Sequence, residues 1–148
     1  MRAQGRLRVV IVVMAATAVT ATSASPSAAQ SPPVDEKSYA ELVAANYVIL
    51  SHAKSEQLVR FAGAFSRCLA KHGQPVGAPH ATKMKITMAI SRGTDRSRLN
   101  RIGVTCATAL GGPPRGASLQ TMQRFGNTHA VVLYVPRQCL LDPNVAAS

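Results

Sequence analysis

The chain has 148 residues, no tryptophan, three phenylalanines, three tyrosines and a formal net charge of +11. That length allows one small domain with a core short of large rings, and leaves no room for a second hydrophobic core. Six acidic residues against seventeen basic ones argue against chemistry built on paired carboxylates and favour anionic partners.

Arg2, Arg6 and Arg8 precede an apolar run from Val9 to Ala21, followed by Ser23, Ala24, Ser27, Ala28 and Ala29. A basic end, a short apolar run and a small-residue exit read as a secretory signal peptide over residues 1–29, cut after Ala29 or, second, after Ala24. The alternative is an uncleaved N-terminal membrane anchor, although the run falls short of the roughly 18 residues that a spanning helix needs. After cleavage no stable membrane insertion is expected. Removing this segment leaves fourteen Lys and Arg against six acids, a net charge near +8. Residues 30–37 carry two prolines and form a tether, and residues 38–148 form a single small domain.

Ser38-Tyr39-Ala40-Glu41 is a capping-box pattern. Tyr39, Leu42, Val43, Tyr47 and Leu50 continue at helical spacing, which predicts either one bent helix to His72 or two helices with a break near 51–55. Leu58, Phe61, Ala62, Phe65, Cys68 and Leu69 share one helical face, the best candidate for the centre of the core. Gly73, with Pro75 two residues later, stops that helix. Residues 73–82 read as a loop. Met84, Ile86, Met88 and Ile90 alternate with Lys85, Thr87 and Ala89 and predict a strand. Asp95 is an N-cap, Leu99, Ile102, Cys106, Ala109 and Leu110 form a helical stripe, and Gly111-Gly112-Pro113-Pro114 ends it. Ser118 to Arg124 reads as one short helical turn. Ala130 to Val135 is the strongest β signal, closed by Pro136, and pairing it with the 84–90 segment gives a small sheet. The fold class expected is therefore α+β and mainly helical, with two or three helices, a disulfide and a two-stranded sheet.

An exported chain exposes Cys68, Cys106 and Cys139 to oxidising conditions. Cys68 and Cys106 lie on the apolar faces of two predicted helices, so packing those faces brings their sulfurs together. Cys68–Cys106 is the preferred pairing, with the two pairings that use Cys139 as alternatives. Cys139 is then a buried free thiol, a loop cysteine that exchanges, or the bridge of a dimer.

The segment Phe65-Ser66-Arg67-Cys68-Leu69-Ala70-Lys71-His72-Gly73 resembles the F-A-x-C-M-R-x-H-G pattern of small exported actinobacterial two-cysteine helical proteins of unknown function. Ile90-Ser91-Arg92-Gly93, Leu99 to Cys106 and Leu110-Gly111-Gly112 are similar to their second half. The likeness covers Leu58 to Gly112, about a third of the chain. The proline-rich F-P-D-P continuation is absent, with Val76 to His80 in its place, and Cys139 and the 130–135 strand lie outside it. The resemblance implies export and a two-cysteine helical core, and brings no catalytic residues.

Between Arg60 and Arg137 there are twelve Lys or Arg and one acid, Asp95. Lys83, Lys85, Arg92, Arg96, Arg98 and Arg101 are the candidate anion-binding surface, for a cell-wall polymer or an acidic protein. Nucleic acid is a weaker fit, because no aromatic-rich strand accompanies the arginines. Enzymatic signatures are scarce: no G-x-S-x-G, H-E-x-x-H or phosphate-cradling glycine loop occurs. On one continuous helix Glu41 and Glu56 would stand about 22 Å apart, too far to act as a pair. A thiol-dependent enzyme or hydrolase built on Cys139 and His129 is the alternative class, but ten extended residues between them span about 33 Å. Cys68 and His72, one helical turn apart, suit two metal ligands, with His80 or Cys106 as a third. The disulfide claims the same sulfurs, so no metal, cofactor or catalytic residue is assigned. His52 and His80 read as surface residues.

Overall fold

Residues 37–148 are described by a computed structural model; the predicted signal segment and all of the tether except Lys37 lie outside them. The element order is α1 (Tyr39–Ala44), β1 (Val48–Ile49), α2 (His52–Lys71), β2 (His80–Ala81), β3 (Lys85–Ala89), α3 (Arg96–Ala109), β4 (Ser118–Phe125), β5 (Thr128–Tyr134), β6 (Cys139–Leu140) and α4 (Pro143–Ala146). Among these residues no helix is long and apolar enough to cross a membrane.

The helix boundaries follow from local chemistry. Ser38 and Glu41 close a reciprocal capping box on α1, the Glu41 amide donating to Ser38 Oγ at 3.2 Å and the Ser38 amide to Glu41 Oε2 at 3.1 Å. α1 stops after six residues, and Asn46 takes a left-handed φ of 67°. Ser51 caps α2 and Asp95 caps α3, each side chain accepting a backbone N–H three residues on. Both long helices end in the same way. Gly73 (φ 76°) and Gly111 (φ 81°) hold the left-handed position, while Gln74 and Gly112 return their amides to Leu69 and Ala107.

Four strands form an antiparallel sheet in the order β2-β3-β5-β4, and β1 and β6 pair in parallel as a second sheet. β3 and β5 pair as the sequence predicts, with Ile86 opposite Leu133 and Met88 opposite Val131. Val131, Val132 and Leu133 have no exposed surface, as expected of a near-continuous apolar run in a central strand. α2 lays Leu58, Ala62, Phe65 and Leu69 over this sheet, and α3 adds Leu99 and Cys106 to the same core.

The expectation of a mainly helical fold with a two-stranded sheet is overturned, since six strands accompany four helices, two of them only six and four residues long. The largest error lies at 118–125, read as a helical turn and found as β4. Leu119 and Met122 stand three residues apart, a helical interval, yet both pack on the core. A bulge reconciles the two facts: Gln120 pairs with Val132 and Gln123 with Ala130, so β4 takes three steps where β5 takes two. The extra residue turns a strand's period of two into a local interval of three. His80–Ala81, assigned to a loop, and Val48–Ile49, assigned to a helix, are edge strands of two residues each, too short for any periodicity to show.

α3 approaches β4 closely because position 103 has no side chain. A methyl group on Gly103 would lie 2.6 Å from Thr121 Cγ2 and 3.7 Å from Phe65 Cζ. Gly103→Ala is expected to destabilise the fold by about 1–2 kcal/mol, overpacking outweighing a helix-propensity gain of about 1 kcal/mol. Adding Thr121→Ser, which deletes the opposing methyl group and keeps the hydroxyl that donates to Asn100, should restore most of the loss in urea unfolding. An alanine that stabilises on its own would contradict this packing.

Candidate functional site

The main chemical cluster lies where α2 ends and α3 packs against it. Cys68 and Cys106 are joined in a disulfide with their Cα atoms 5.8 Å apart. Cys106 is fully buried, Cys68 half-buried and His72, at the C-cap of α2, exposed. A ring nitrogen of His72 and the two sulfurs all lie within 4.8 Å of one another. The Arg98 guanidinium lies against Gly73, its Nη2 only 3.6 Å from where a methyl group on that glycine would sit. A cation there faces the negative end of the α2 dipole. Of the metal ligands weighed from sequence, Cys68, His72 and Cys106 come together. His80 pairs instead with Thr87 in the sheet.

The six residues of the predicted anion-binding surface fall on two stretches of the chain, one before and within β3 and one before and within α3. Arg92 lies in the loop before α3, and Arg96, Arg98 and Arg101 stand on the helix; all four are exposed, and none forms an ion pair among the described residues. Lys85 opens β3 and Lys83 precedes it, and the strand carries the chain about 13 Å from Lys85 to Ala89. Both are half-buried, and both are engaged with rings. Lys85 Nζ is 4.6 Å from the Phe125 centroid and Lys83 Nζ 5.8 Å from that of Tyr39.

Cys139 is a free, half-buried thiol in β6 whose side chain packs against the core. His129 lies near the start of β5, and Cys139 follows five residues after its end. They belong to different sheets, and the strand holds them apart.

Sequence reasoning missed the partners of His52. Its side chain is 59% exposed, yet Nδ1 lies 3.2 Å from Asp142 Oδ2 and Nε2 lies 3.2 Å from Glu56 Oε1. Asp142 caps α4, accepting the Asn144 amide at 2.8 Å, and its own amide donates to buried Ser55 Oγ at 2.9 Å. The cluster borders a shallow cleft of about 230 Å³ lined by His52, Glu56, Arg60, Asn144 and Ser148 among others. It offers no nucleophile: Ser55 is buried as an acceptor, and the Ser148 hydroxyl donates to the Val145 carbonyl. It clasps α4 onto the start of α2 through the Asp142 contacts to His52 and Ser55. The i,i+4 spacing of His52 and Glu56 was visible in the sequence; Asp142, ninety residues from His52, was not.

Comparison with protein-family models, with curated proteins and with solved structures finds no match for this chain. The fold and the cluster define it as a disulfide-linked α+β domain.

Tyr39 supplies a check on this region. Burial, and secondarily the negative charge of Asp142, raise its pKa above the ordinary value of 10.0, and its buried hydroxyl has no hydrogen-bond partner among the described residues. The folded state therefore holds the phenolic proton more tightly than the unfolded chain. The resulting stability is complete below about pH 10 and is lost as pH rises through the raised value. Tyr39→Phe should be neutral or slightly stabilising at pH 7, flatten the alkaline loss of stability, and remove an ultraviolet-detected transition above pH 10. A steeper alkaline loss in the variant would show the assignment to be wrong.

Proposed function

We propose that this chain is an exported, disulfide-stapled binding module, without catalytic activity, that docks an anionic cell-wall polymer or, second, an acidic protein. The observation that carries the reading is the group Arg92, Arg96, Arg98 and Arg101: four exposed guanidinium groups within ten residues, none held by an acid among the described residues. Guanidinium forks match carboxylate and phosphate groups in pairs of parallel hydrogen bonds. An extended polyanion meets several of them at once, while the rigid α3 beneath, fixed by the disulfide, holds their spacing. The disulfide supports export, because such bonds persist in oxidising compartments. Lys83 and Lys85, each set over an aromatic ring, are left out of the docking surface. The alternative of a thiol-dependent enzyme or hydrolase is the weaker reading, because Cys139 packs against the core and His129 lies in a different sheet.

The mature chain should be retained on a sulfated or phosphorylated polysaccharide matrix. If four arginines each displace a counterion, its affinity should fall on the order of 10²-fold between about 50 and 200 mM salt. Replacing the four arginines together with glutamine should abolish most of the retention, whereas Lys83→Gln with Lys85→Gln should change it little. Retention indifferent to salt, or to the four substitutions, would rule this reading out.

A further inference from the structure

We propose that reduction converts the α2–α3 corner into a binding site for a thiophilic divalent cation, with Cys68, Cys106 and His72 as ligands and zinc as the best fit. This role is separate from polyanion docking. Cys68 lies in the last turn of α2 and His72, four residues on, is its C-cap, while Cys106 reaches them from α3. Their donor atoms are already gathered within 4.8 Å. Tetrahedral zinc, with bonds of about 2.3 Å to sulfur and 2.0–2.1 Å to nitrogen, needs donors roughly 3.6–3.8 Å apart. The exposed His72 ring can close that gap by side-chain rotation, while the Cα atoms of the cysteines, 5.8 Å apart, stay where the fold puts them. Exposure rises from Cys106 through Cys68 to His72, so the fourth position faces solvent and takes water. Two thiolates and one neutral imidazole around a divalent ion make a complex of zero net charge, which nearby Arg98 does not oppose.

In the oxidised form the sulfurs are bonded to each other and carry no charge, so the site is closed. A dithiol reductant opens it. The protein S–S bond breaks, two protein thiols form, and the reductant leaves as its own disulfide. The cation then replaces the two thiol protons, which pass to solvent as two S–metal bonds form. One cross-link between α2 and α3 is thereby exchanged for another.

The test uses the full chain carrying Cys139→Ala, oxidised or reduced with a phosphine that offers no competing thiol, and titrated anaerobically with Co²⁺. The reduced chain should bind one equivalent, with a sulfur-to-cobalt charge-transfer band of two-thiolate intensity that Zn²⁺ abolishes; the oxidised chain should give none. His72→Ala should weaken binding at least about tenfold, the scale on which even outer-shell partners act. Should reduction unfold the chain, Zn²⁺ should restore its far- and near-ultraviolet circular dichroism, and should do so less well in His72→Ala. No charge-transfer band in the reduced chain, equal affinity in His72→Ala, or metal-induced refolding indifferent to that substitution would each overturn the proposal.

Discussion

Cys106 has no exposed surface, and its sulfur is bonded to Cys68 on the helix that lays Leu58, Ala62, Phe65 and Leu69 into the core. This bond ties α2 to α3 at the point where both meet the sheet. The closed loop spans 38 residues, which corresponds to about 4 kcal/mol of denatured-state entropy. A domain of this size has only some 5–15 kcal/mol of net stability, and this core holds a single fully buried phenylalanine, Phe65, and no tryptophan. The staple therefore accounts for a share of the stability that hydrophobic burial alone would struggle to replace. It also fixes α3, and α3 carries three of the four arginines on which the proposed docking depends.

The same constraint explains why the packing around α3 leaves so little latitude. With the helix held at Cys106 and pressed onto β4 at Gly103, its inner face is fixed, and its outer face carries mostly charged and polar residues with Val104 exposed among them. The opposite end of the molecule is managed differently. There the short α4 has little apolar surface of its own, and polar groups hold it: Ser55 beneath the Asp142 amide, and His52 against the Asp142 carboxylate. One end is secured covalently and the other by a hydrogen-bonded clasp. In that clasp His52 holds two acidic partners, Glu56 on its own helix and Asp142 at the start of α4.

What could be read from the sequence was whatever depended on neighbouring residues. The capping box at Ser38, the N-cap at Asp95, the glycine stops at 73 and 111 and the apolar face of α2 all stand as read, because each is set by a few adjacent side chains. The Cys68–Cys106 bond and the pairing of β3 with β5 were also legible, since long amphipathic faces and a strong β run leave few ways to pack. β4 was not, because a bulge disguised its period, and the two-residue strands carry no pattern at all. The basic surface was only half legible. Composition gives the number of cations, but nothing local reveals that Lys83 and Lys85 settle over rings. The Asp142 clasp was invisible for the same reason: its partner lies ninety residues away in the chain.

The central claim is that one particular pair of sulfurs holds two helices against the sheet and leaves the third cysteine free. The most direct test is to unfold the chain without reductant, alkylate it, digest it and map the fragments by mass. The account predicts a single cross-linked species joining the peptides of Cys68 and Cys106, with alkylation confined to Cys139. A cross-link from Cys139 to either of the others, or alkylation of all three cysteines, would contradict it.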